Sequence, residues 1–309
     1  MFLVHLFFVC FPFSPLCDCP DSGLFPCPNF ALALFSPPAR PTTCVKAPTE
    51  VVESGRLAAV LGAFQKLLSS KAHDHEGFYI LNAIAERLPL AAFAPFLTQI
   101  WQLVFSRLQH ARTAKLARAV SVFLSLFVAK HGLQSVTESI DRVQAGLFPM
   151  LLDTVWLPAA GQISGDVEKK LCAVALTRVL VESPQLMADG AAALWQRVLA
   201  AVMKIFEAAA GDEAGGQGGG GGAVEAEEPD VEEPVGYTAA YQQLANASRP
   251  EADPLPEVRS PGVELASALH RLSATVPGKL APRIEAALLP HAKAALQGYL
   301  AQAGNLVIS

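Results

Sequence analysis

The sequence predicts an all-α fold, an α-solenoid built as a stack of antiparallel helix pairs, and three observations carry that expectation. The stretch Asp166 to Glu182 reads as a helix with apolar residues on nearly every side. At about 100° per residue, Val167, Leu171, Cys172, Ala173, Val174, Leu176, Val179 and Leu180 leave only Asp166, Lys170 and Thr177 as a polar seam. A helix of that kind must be packed on several sides, which suits the inner layer of a stacked array. Pairs of helices recur at roughly 40 to 50 residues, the spacing of HEAT or armadillo units, and no segment alternates with the period of a strand.

Residues 1–48 stand apart from this pattern. They open apolar (Phe2, Leu3, Val4, Leu6, Phe7, Phe8, Val9) and turn dense in proline and cysteine. A signal peptide is disfavoured because no basic n-region precedes the run, Pro12 and Pro15 cut it short, and no Ala-x-Ala-like site follows. The run is also too short to span a bilayer. The expectation is an unassigned, disordered leader. Five of the six cysteines lie in it, and Cys17-x-Cys19 with Cys27 lacks the spacing of a zinc site. The sixth, Cys172, is expected as a small buried hydrophobe, and the usage fits a reducing compartment.

The body, 49–309, is helical throughout. Val51 to Ser70 carries Leu57, Val60, Leu61, Phe64, Leu67 and Leu68 at helical spacing, and Phe78 to Leu88 follows, stopped by Pro89. Phe93 to Gln109 and Thr113 to Lys130 repeat the arrangement, with His131-Gly132 as a helix end. Leu133 to Val143 and Leu147 to Leu157 are shorter. In the next helix Asp166 is expected as N-cap, Glu168 suits the positive helix start, and Ser183-Pro184 halts it before Asp189 to Ala209. A Gly-rich acidic loop is expected over 208–234, a composition unable to bury apolar surface. Helices resume over Gly236 to Asn246, Gly262 to Ala274 and Ala281 to Ala303, with prolines such as Pro290 as interruptions.

The net charge of −5 conceals two parts: nine acids and no base lie between Glu207 and Glu233, so the remainder is mildly positive. That is too little for binding nucleic acid by phosphate neutralisation. Gly215 to Gly222 lacks the Gly-Lys-Ser/Thr ending of a phosphate loop. His73-x-His75 beside Asp74 and Glu76 reads as solvated turn residues rather than a metal site, because i and i+2 diverge on a helix. No nucleophile elbow, zincin helix or carboxylate pair appears, so no enzyme, cofactor or metal is expected. Arg107, Arg112, Lys115 and Arg118 straddle a helix connection and read as a solvated face, with an acidic partner as the alternative.

Four blocks then resemble one family. They are Leu61-Gly-Ala-Phe-Gln-Lys-Leu-Leu with Lys71-Ala-His-Asp-His-Glu-Gly-Phe-Tyr; Ser164-Gly-Asp-Val-Glu-Lys-Lys-Leu-Cys-Ala-Val; Gly236-Tyr-Thr-Ala-Ala-Tyr-Gln-Gln-Leu-Ala; and Leu265-Ala-Ser-Ala-Leu-His-Arg-Leu-Ser. In order and context they resemble the C-terminal portion of the exportin-2 family, the cellular apoptosis susceptibility proteins, from about Ser54 onward. The resemblance implies a HEAT-repeat karyopherin, a right-handed superhelical solenoid that shuttles between nucleus and cytoplasm and carries importin-alpha out of the nucleus with Ran-GTP. Family members are much longer, and the importin-beta-like region that makes their main Ran contacts has no counterpart in these residues. Part of a longer receptor, with weak or lost Ran-GTP dependence, is therefore expected; the alternative is a protein-binding scaffold without transport. As partner contacts the expectation falls on Lys169, Lys170 and Arg178, the cations of a second helix facing the concave side. Against it stands a purely structural use, Lys170 pairing with Asp166 and Arg178 reaching a neighbouring helix.

Overall fold

Successive helices pair head to tail because each has a single wide apolar stripe that only a neighbour can cover. In a computed structural model, which describes residues 51–52, 55–214 and 253–308, every regular element among the described residues is helical. The main helices are α1 (Leu57–Ser69), α2 (Gly77–Arg87), α3 (Leu97–His110), α4 (Ala114–His131), α5 (Leu133–Asp141) and α6 (Leu147–Leu151). They continue with α7 (Asp166–Glu182), α8 (Ala192–Ala214), α9 (Pro261–Thr275), α10 (Leu280–Ala287) and α11 (Pro290–Gln302). All belong to one compact unit. Two rows result. α2, α4, α7, α9 and α11 pack in sequence as one row, while α1, α3, α5, α8 and α10 cover them from the other side.

An aromatic spine joins the first two pairs. Phe64 of α1 meets Phe78 of α2 edge to face at 6.0 Å, Phe78 meets Phe123 of α4 at 6.1 Å, and Trp101 of α3 packs on Phe123 at 5.6 Å. Such offset and edge contacts add to the burial of these rings. Trp101 is fully buried and spends its indole N–H on Ser139 Oγ of α5 at 2.8 Å, so the polar end of the ring is satisfied.

Helix α7 covers the expected residues and is as enclosed as its composition requires. It packs against α4, α8 and α9, and ten of its residues are buried. Cys172, Ala173 and Ala175 are inaccessible, and their small side chains permit close approach of the neighbouring helices. Where α4 and α7 carry hydroxyls inside, each returns its proton to its own helix: Ser121 to Ala117, Ser125 to Ser121 and Thr177 to Ala173, all within 2.8 Å. Burial pushes the Cys172 thiol up to about 11 despite hydrogen bonds with Trp156 and Ser125, so it is a packed sulfur and not a nucleophile.

Several expectations are corrected. The N-cap of α7 is Gly165, not Asp166, and makes no side-chain cap bond; the Glu168 carboxylate folds back over it, where a Cβ at 165 would collide with Oε2. Thr113, expected inside α4, is instead its N-cap, accepting from the Leu116 N–H at 3.1 Å. The segment after α6 widens into a π-helical turn, Leu152–Trp156, before Pro158. Pro158 has no N–H for the Thr154 carbonyl four residues back, and the Arg112 guanidinium donates to that carbonyl in its place. α8 runs to Ala214, seven residues into the expected loop, because Ala208-Ala209-Ala210 are good helix formers. Leu288-Leu289, ahead of Pro290, divides Ala281–Ala303 into α10 and α11. The leader, the rest of the acidic loop and the expected helix Gly236–Asn246 lie outside the described residues.

The turn at 73–76 is not uniformly solvated. Asp74 is inaccessible, and Arg107 of α3 donates to its Oδ2 from Nε at 3.0 Å and Nη2 at 2.9 Å. This pins the α1–α2 connection onto α3. Removing one member of such a pair strands the other charge in the interior. Arg107→Ala is expected to lower stability by about 3 kcal/mol or more, read as a fall in the urea midpoint without a change in m-value. An unchanged midpoint would show that the pair holds nothing.

Candidate partner-binding face

Helices α2, α4 and α7 run parallel, so each presents four C-terminal carbonyls without intrahelical donors at the same edge of the row. The next helix supplies the donors. His131, at the end of α4, places Nε2 2.8 Å from the Ala85 carbonyl of α2. Arg178 of α7 donates from Nη1 to the carbonyls of Ala129 at 2.8 Å and Val128 at 3.3 Å in the last turn of α4. The same device recurs where Arg283 of α10, largely buried, donates to Leu186 and Met187, which end the short turn Pro184–Met187. A cation at a helix C-terminus is favoured by the helix dipole as well as by the hydrogen bonds.

A second set of cations anchors the chain where it re-enters at Asp253. Lys170 of α7 meets Asp253 Oδ2 at 2.5 Å and donates to the Leu255 carbonyl at 2.8 Å; Lys130 of α4 donates to the Pro254 carbonyl at 2.6 Å. Leu255 is buried beneath this strap, and its N–H returns to Asp253 Oδ1 at 2.8 Å. Burial raises the Asp253 pKa, but Lys170, the Leu255 N–H and the Lys130 charge outweigh it and hold the carboxyl below the usual carboxylate range.

The three cations expected at a partner interface therefore sit as follows. Lys169 is buried, 4.0 Å from Asp166 at i, i+3. Lys170 engages the strap and not Asp166, because it lies on the side of α7 that the strap crosses. Arg178 caps α4. Sequence reasoning had no signal for the strap: residues 170 and 253 are far apart in the chain, and the Asp-Pro-Leu run resembles any loop. Of the basic cluster at the α3–α4 connection, Arg107 and Arg112 are engaged within the chain, whereas on the first turns of α4 Lys115 is exposed and Arg118 half-buried. Among the described residues no group of three or more His, Cys, Asp or Glu gathers as a metal site, and no helix is long and apolar enough to cross a membrane.

Comparison with known proteins agrees with this architecture. A family model described as "CAS/CSE protein, C-terminus" matches residues 42–299. Exportin-2 of Xenopus laevis is 39% identical over 254 residues, and those of Mus musculus and Homo sapiens are 37% identical over 254; each alignment covers 82% of this chain. The chain spans 25% of the length of these curated relatives. A solved structure titled "The exportin Cse1 in its cargo-free, cytoplasmic state" superposes with a TM-score of 0.62 at 20% identity, covering 85% of this chain and 25% of that one, and shows the fold as a HEAT-repeat solenoid.

Two outcomes test the tethers. Lys170→Ala removes two of the three lysine bonds to the strap, leaving Lys130 on Pro254, and should cost about 1–3 kcal/mol, with new protease cleavage around residues 253–258; an unaltered digestion pattern would show the strap is held otherwise. Burial, then the neighbouring Lys130, holds the His131 pKa below the usual imidazole range, against the raising effect of its bond to Ala85. Its neutral form is thus favoured in the fold, and stability present above about pH 6.5 is lost as pH falls through the lowered folded value. His131→Gln should flatten that part of the stability–pH curve; an unchanged slope would exclude His131 as its source.

Proposed function

Because the chain belongs to the CAS/CSE family, whose curated members are exportins, we propose that it forms the C-terminal arch of a nuclear export receptor that takes importin-alpha as cargo together with Ran-GTP. Such a receptor shuttles between nucleus and cytoplasm and works by fitting a flexible solenoid around its cargo, not by catalysis. The observation that carries the reading is the parallel row α2–α4–α7, held in register by donors passed from helix to helix. It provides a continuous surface of fixed spacing on which a long partner can lie. Lys169, Lys170 and Arg178 belong to this row and serve binding by fixing its shape. Ran-GTP adds little to cargo capture by these 309 residues, since the importin-beta-like region associated with Ran contact lies outside them.

A protein-binding scaffold without transport is the second reading, favoured by the commitment of Lys170 and Arg178 to groups of this same chain. The two separate in a pull-down of purified importin-alpha on the immobilised chain, with and without Ran loaded with a non-hydrolysable GTP analogue. Capture that is specific and changes little with Ran is expected. Strong enhancement by Ran would refute the weak-dependence claim, and no capture under either condition would leave only the scaffold.

A further inference from the structure

A concavity of about 280 Å³ lies between α2, α4 and α7. That is below the roughly 300–1,000 Å³ typical of small-molecule sites, and it suits one large side chain with its adjoining backbone. Its floor is apolar. Phe78 of α2, Val122 and Leu126 of α4 and Leu171 of α7 line it, and all but Val122 are buried. A further feature marks it as unfinished. Lys115 and Arg118, one turn apart on α4, stand at its edge, and no hydrogen bond or ion pair engages either among the described residues.

That last point separates them from every other cation on α4 and α7. Lys130 bonds Pro254, Lys170 bonds Asp253 and Leu255, Arg178 caps α4, and Lys169 sits against Asp166. Glu86 and Glu168 also border the cavity, on α2 and α7, so the positive side lies on α4 alone.

We infer that this groove is a docking site for an acidic peptide segment of a partner protein, anchored by one aromatic or aliphatic side chain. The anchor fills the space over Phe78, Val122, Leu126 and Leu171. Carboxylates beside it meet Lys115 and Arg118. The inference rests on reading this row as a partner-binding face, but not on importin-alpha being the partner.

The test is fluorescence anisotropy of a fluorescein-labelled Glu-Asp-Phe-Glu-Asp peptide titrated with the full 309-residue chain, beside the same peptide with Phe→Ser or with lysines for the acids. The parent peptide should bind, and both controls should bind far more weakly. Lys115→Glu combined with Arg118→Glu should weaken binding roughly tenfold or more, with an unchanged thermal unfolding curve, since Lys115 is exposed, Arg118 is only half-buried and neither is engaged within the described residues. The charge effect should shrink as salt rises. No binding by the parent peptide, or equal binding to the charge-reversed chain, would overturn the inference. So would binding that appears only after deletion of residues 225–233, because the chain's own acidic run would then be the occupant. Loss of importin-alpha capture with peptide binding intact would leave the groove standing and refute only the cargo assignment.

Discussion

The parallel row of second helices depends on how its C-terminal carbonyls are satisfied. A stack of parallel helices brings several negative helix ends to one edge, where each exposes acceptors that its own backbone cannot fill. Here His131 serves α2 and Arg178 serves α4, so these two helix ends are each completed by the next helix in the row. The stacking that buries the apolar faces also fixes these donors in place. Packing and polar satisfaction therefore favour the same register, which is the consistency expected of a sequence with one dominant structure.

This constraint also accounts for the fate of the cations. A lysine or arginine on the most enclosed helix of an array is more valuable inside the chain than outside it. Burying the aliphatic stem gains apolar contact, and the head group finds carbonyls or a carboxylate at the rim. Lys170 and Arg178 follow that pattern, and Arg107 goes further by pairing with the inaccessible Asp74. Lys115 and Arg118 escape it because the first turn of α4 has positive helix-end polarity and exposes no carbonyl acceptors of its own. They remain for an outside ligand, and the concavity beside them has a shape that one can enter.

The Pro158 turn shows the same economy in miniature. A proline inside a helical segment normally removes a hydrogen bond and kinks the chain. Here the lost bond opens a π turn, and Arg112 from the preceding connection takes over the Thr154 carbonyl. Without a donor arriving from another pair, that exposed carbonyl would be left to solvent.

The sequence by itself determined the helical class, the pairing, the boundaries of α7 and the burial of Cys172, because each follows from local periodicity and breakers. The 3.6-residue spacing of Leu116, Val120, Leu124 and Phe127 needs no knowledge of what lies opposite. The family was legible for a related reason: blocks such as Ser164-Gly-Asp-Val-Glu-Lys-Lys-Leu-Cys carry a helix start and a packed core in one stretch. Only the tertiary structure decided the partners of the charges. Whether Lys170 meets Asp166 four residues away or Asp253 beyond the acidic loop depends on which side of α7 the returning chain crosses. A charge is satisfied by distance in space, and one sequence without its fold gives distance only along the helix.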